Sequence, residues 1–149
     1  MMKKIIESGV TLPIIVILAI FLNFKAFSYS SNLSMFEFCV SIFYLIIWGL
    51  VFKTARRNKR YNLILVSTVF WIMTFLTSSL VSYVRASNAD ISPPLFFIIV
   101  LLTPLFGLEF MINHKYMVYI LMSIISFLFS YLGVKFLITN EKSNDDEFR

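Results

Sequence analysis

Glu109 is the one ionisable residue placed well within an apolar run, and it closes the segment Thr103-Pro104-Leu105-Phe106-Gly107-Leu108-Glu109. A proline inside a helix removes one backbone hydrogen bond, and Pro104 at this position frees the Val100 carbonyl. A freed carbonyl followed by a carboxylate is the arrangement of a broken-helix site that coordinates a cation or proton. The plainer reading is a tolerated kink with a carboxylate about one helical turn, roughly 5–6 Å, from the polar break at Asn113. There Glu109 pairs with Lys115 or with an arginine of the basic stretch 53–60. His114 is the sole histidine, and without a cluster of further ligands it reads as a loop residue rather than a metal ligand. Ser123 and Ser126 lack a histidine or lysine at similar depth to activate them, so nucleophilic catalysis is not expected. Cys39, the single cysteine, lies in an apolar run and reads as a small packing residue. No enzyme activity, cofactor or metal is expected from these residues.

The elements that position them are set by composition. Of 149 residues, 59% are hydrophobic and 14% are charged, with a mean hydropathy of +0.85. Soluble domains carry about a quarter charged residues, so this chain lacks the polar groups to cover a surface in water. A lipid bilayer is the solvent that suits it. The net charge of +5 sits in short gaps between apolar runs, which is the pattern of membrane orientation and not of a nucleic-acid footprint. The first apolar stretch is long for a signal peptide and lacks a small-x-small cleavage site after it, so it reads as an uncleaved span.

Spans of about 20 residues cross about 30 Å of hydrocarbon. Five are expected, at about 9–27, 35–52, 63–84, 95–112 and 116–138, followed by a short acidic, unstructured tail at 139–149. The fold class is therefore all-α, a polytopic transmembrane helical bundle. Pro13 suits the opening turn of the first span. Ser34 and Glu37 form a capping box for the second, Asn62 is a cap for the third, and Ser92 with Pro93 opens the fourth. Four spans are the alternative, with part of 95–138 re-entrant. Lys53, Arg56, Arg57, Lys59 and Arg60 form the densest basic cluster and resist translocation, which places the N-terminus in the cytoplasm. With five spans the tail lies outside. The cluster also suits anionic lipid.

Without a hydrophobic drive between helices in lipid, small and hydroxylated residues mark the packing seams. Tyr119, Ser123, Ser126, Ser130 and Gly133 fall on one stripe. Ser67, Trp71, Thr74, Ser78 and Ser82 make a second, and Glu37, Ser41, Tyr44 and Trp48 a third. The three are expected to meet in the bundle centre, with Phe127 and Phe129 facing lipid. Two functions follow as expectations. The first is a small non-enzymatic protein of a bacterial plasma membrane that binds other membrane proteins, as an accessory, envelope-stress or immunity-type factor, or that self-associates. The second is a small oligomeric transporter or channel built on Pro104 and Glu109.

Overall fold

The computed structural model describes residues 11–29, 34–87, 94–112 and 115–145, and all its regular elements are helical. Helices α1 (Thr11–Tyr29), α2 (Met35–Arg57), α3 (Tyr61–Ser87) and α4 (Lys115–Asp145) are continuous. Between α3 and α4 lies a broken segment, Leu95–Met111, made of one α turn, a π turn at Ile98–Leu102 and a 3-10 helix at Thr103–Met111. Three of these helices, α2, α3 and the Met117–Thr139 part of α4, are long and apolar enough to cross a membrane.

Local sequence accounts for the starts. Ser34 caps α2: its hydroxyl oxygen accepts from the Phe36 amide at 3.3 Å, and the Glu37 carboxylate accepts from the Ser34 amide at 3.0 Å. Helix α3 begins earlier than its sequence suggests. The Ile64 amide donates to the Arg60 carbonyl, so Arg60 holds the capping position and Asn62 is already helical. Helix α4 runs on to Asp145, through a stretch expected to be an unstructured tail. Glu141 and Lys142 are good helix formers, and no proline or glycine interrupts the stretch.

Helices α3 and α4 pack antiparallel. Gly133 lies against Thr68, Trp71 stacks on Phe129 at 4.4 Å, Phe75 meets Phe127, and the Ser123 hydroxyl donates to Ser78 at 3.0 Å. At one end, Arg56 sits over the ring of Phe136 at 4.7 Å, and Leu12 shares a groove with Lys59 and Arg60. This basic end therefore holds the start of α1, the α2–α3 turn and the late part of α4. At the far end, Arg85 lies 6.0 Å from the Tyr119 ring centre.

The broken segment departs most from a full span. Met111 precedes Lys115 by four residues, a reach of at most about 14 Å, so it lies at the far end where α4 begins. Ser87 and Pro94 are seven residues apart, at most about 25 Å, which is short of the hydrocarbon thickness. The end of the segment lies by the start of α2, where Phe110 is 6.1 Å from Phe38. Pro104 is the cause of the break. Without an N–H and with a ring that crowds the preceding turn, it is preceded by a widened turn, in which the Thr103 amide reaches the Ile98 carbonyl, and followed by a tightened one.

Phe129 also differs from expectation. It is half-buried, stacked on Trp71 and 5.9 Å from Phe52, whereas Phe127 is 54% exposed. The reason is that the α3–α4 seam is wider than its hydroxyl stripe and takes in the ring beside it. At the seam's closest point, a Cβ on Gly133 meets the Thr68 hydroxyl and lies 2.9 Å from Thr68 Cβ. Thr68 cannot swing away cheaply, since it is β-branched and its hydroxyl donates to the Ile64 carbonyl at 2.7 Å. Gly133→Ala is expected to lose about 1–3 kcal/mol of stability in mild detergent, and Phe127→Leu less than about 0.5 kcal/mol. Equal losses at the two positions would contradict this packing.

Candidate functional site

The polar centre of the bundle forms around the carbonyl of Pro104. Asn23 of α1, fully buried, donates its side-chain amide to that carbonyl at 2.8 Å and to the Ser41 hydroxyl at 3.0 Å. Ser41 of α2 donates to the same carbonyl at 2.9 Å. Both lone pairs of the carbonyl are used, and both protons of the Asn23 amide are used. In hydrocarbon an unpaired backbone carbonyl costs several kcal/mol, so a broken helix persists only where side chains close the gap. The carbonyl these side chains reach is Pro104's own and not that of Val100.

Gly107, three residues on, brings the segment directly against α2. A Cβ there would overlap the Glu37 backbone carbonyl and lie 2.7 Å from the Ser41 hydroxyl. Phe106 packs edge-on to Phe27 at 5.2 Å and to Tyr119 at 5.9 Å, which wedges the segment between α1 and α4. Toward the basic end the centre is floored by rings. Trp48 stacks on Phe70 at 5.0 Å and meets Trp71 edge-on at 5.6 Å, and Tyr44 lies 6.4 Å from Trp71.

Glu109 is separate from this centre. It is 9% exposed and lies at the far end, where it and Arg85 both act electrostatically on the Tyr119 hydroxyl. Pairing with the basic loop is excluded, because that loop is at the opposite end. The expectation set it beside that loop because it took 95–112 to run from one end of the bundle to the other. Pro104 and Glu109 are thus brought into one segment but not into one site. The side chain of Lys115 and all of His114 lie outside the described residues.

The seam residues Ser67, Thr74, Ser78, Ser126, Ser130 and Gly133 are buried, and Ser123 is half-buried on the Ser78–Ser79 edge. Lys53, Arg56, Arg57 and Lys59 are exposed at the basic end, with Arg60 partly covered. Sequence reasoning missed Asn23 and Thr68, and it named Thr103 and Gly107 only as members of the proline-broken segment. Asn23 carried a readable signal, as the one asparagine deep within an apolar run, where an amide needs an interhelical partner. Among the described residues, no three His, Cys, Asp or Glu side chains are grouped to hold a metal ion.

Glu109→Gln keeps the side chain's shape and hydrogen bonding while removing its charge. The variant is expected to insert and accumulate as wild type does, with a loss of about 1–2 kcal/mol in thermal unfolding. Loss of the cellular phenotype at normal abundance would instead make Glu109 an ion carrier. No protein-family model, curated protein or solved structure matches the chain.

Proposed function

We propose that this chain is a multi-pass protein of a bacterial plasma membrane that acts by binding other membrane proteins, without catalysis and without a conduction path of its own. The observation that supports the reading is the doubly hydrogen-bonded Pro104 carbonyl, held by Asn23 and Ser41 above a stacked aromatic floor. In a transport site the exposed carbonyl of a broken helix is offered to the substrate. Here the chain's own side chains occupy it, and the bundle is closed below.

The topology proposed with it has four crossings and a re-entrant Leu95–Met111 segment, with N-terminus, basic loop and tail all in the cytoplasm. Basic residues favour this strongly. Five crossings put eight Lys and Arg inside and five outside. Four crossings put ten inside, with only Lys25, Arg85 and Lys115 outside.

A second reading, a small oligomeric conduit, is favoured by one observation. Asn23 Oδ1, Ser67 Oγ, Trp71 Nε1, Thr103 Oγ1 and Ser126 Oγ are buried with no hydrogen-bond partner among the described residues. Unpaired polar atoms in a membrane interior are costly and mark water or substrate paths. Purification in mild detergent followed by reconstitution separates the two. A stoichiometric membrane-protein partner, with liposomes that stay tight to ions, is the expected result. A pure homo-oligomer that conducts ions or solutes would reverse the order.

A further inference from the structure

Two side-chain atoms at the Pro104 break are buried without a partner, and their needs are complementary. Asn23 gives both protons of its amide away, to the Pro104 carbonyl at 2.8 Å and to the Ser41 hydroxyl at 3.0 Å. That orientation is forced, because a carbonyl only accepts and the amide must face it with nitrogen. Asn23 Oδ1 is therefore turned elsewhere, and it has no hydrogen-bond partner among the described residues. The hydroxyl of Thr103, the residue before Pro104, is in the same condition. Both residues are 0% exposed.

Thr103 differs from hydroxyls elsewhere in the bundle. Those of Thr68, Thr74, Ser123 and Ser130 each donate to a carbonyl one turn back in their own helix, at 2.7, 2.9, 2.8 and 2.8 Å. That local bond is the usual way a helical hydroxyl is satisfied. Thr103 stands where the π turn passes into the 3-10 helix, with no regular α turn behind it, and it makes no such bond. Asn23 Oδ1 can only accept and the Thr103 hydroxyl can donate, yet the two do not bond to each other. An unpaired polar atom is costly in a membrane interior. A water molecule both donates and accepts, and two polar partners are enough to hold one.

We propose that the polar centre binds one water molecule, which donates to Asn23 Oδ1 and accepts from the Thr103 hydroxyl. The water completes the closure of the break that Asn23 and Ser41 begin at the Pro104 carbonyl. It is an enclosed site and not a path, since Trp48, Phe70 and Trp71 floor the centre toward the basic end. These two atoms then call for a structural water rather than a conduit, whichever partner the protein binds.

Thr103→Val keeps the side chain's shape and removes only the hydroxyl, so the sign of its effect separates a hydrated centre from a dry one. In a dry centre the hydroxyl is an unpaired buried group, and its removal raises the unfolding temperature. In a hydrated centre valine strands the water and Asn23 Oδ1, and unfolding in mild detergent is expected about 2–4 °C lower. Thr74→Val is the control, because that hydroxyl already donates to the Phe70 carbonyl, and it should shift unfolding little. The direct reading is water-edited solid-state NMR of the full chain in deuterated lipid, with asparagine labelled on its side-chain nitrogen. Magnetisation is expected to pass from water to the Asn23 amide, whose signal is identified by its loss in Asn23→Leu. The transfer should vanish in Thr103→Val and persist in Thr103→Ser, which keeps the hydroxyl, and in Thr74→Val. No transfer in wild type, transfer that survives Thr103→Val, or a Thr103→Val protein more stable than wild type would each overturn the site.

Discussion

Gly107→Ala is expected to be the most damaging single methyl that can be added to this protein. The new Cβ falls on the backbone carbonyl of Glu37, in the first turn of α2, and on the Ser41 hydroxyl. Backbone inside a continuous helix cannot rotate away as a side-chain tip can, so the broken segment must move off α2. That movement also stretches the Asn23 and Ser41 hydrogen bonds to Pro104, three residues earlier. Overpacking costs about 1–3 kcal/mol where neighbours adjust, and here a loss at or above the top of that range is expected. Gly49→Ala is the matched control, since nothing lies within 4 Å of its added Cβ. On an exposed helical face alanine is favoured over glycine by about 1 kcal/mol. Thermal unfolding in one detergent should therefore move in opposite directions for the two variants. A Gly107→Ala protein as stable as wild type would remove the close contact.

The second large effect is expected from removing both donors to the Pro104 carbonyl. Asn23→Leu alone leaves Ser41 donating to it, and Ser41→Ala alone leaves Asn23. Each single change should cost about 1 kcal/mol, the net worth of a hydrogen bond whose acceptor keeps another partner. The double variant orphans a buried carbonyl and should lose about 3 kcal/mol or more, beyond the sum of the singles. A double-mutant cycle with additive losses would mean that the carbonyl is satisfied in another way.

Much of the fold could be read from composition and spacing, for physical reasons that these residues illustrate. The capping box at Ser34 and Glu37 is a local device, fixed by four consecutive residues, and it stands where the sequence places it. The stripe through Glu37, Ser41, Tyr44 and Trp48 follows from helical period alone, and these are buried faces of α2. The broken segment is different. Hydropathy measures whether a stretch is apolar, not whether it is continuous, so 95–112 scores as a span although it is a π turn followed by a 3-10 helix. Pro104 signalled a break but not its depth or its partners. Those partners are Asn23 and Ser41, 81 and 63 residues away in sequence, and no local pattern relates such distant positions. Taking that segment as one end-to-end helix also set the side on which Glu109 and the tail were expected, and the proposed four-crossing topology reverses it.

The side of the membrane that holds the tail is accordingly the most direct test. Paired reporters, one active only in the cytoplasm and one only outside it, would be fused in turn after Arg57 and after Arg149. Helix α4 returns to the basic end, where Arg56 covers Phe136, so both fusions are predicted to report the cytoplasm. A cytoplasmic signal after Arg57 with an external signal after Arg149 would contradict the account. It would require residues 95–112 to cross the membrane completely, and the packing of α4 against α3 and the basic end would have to be abandoned.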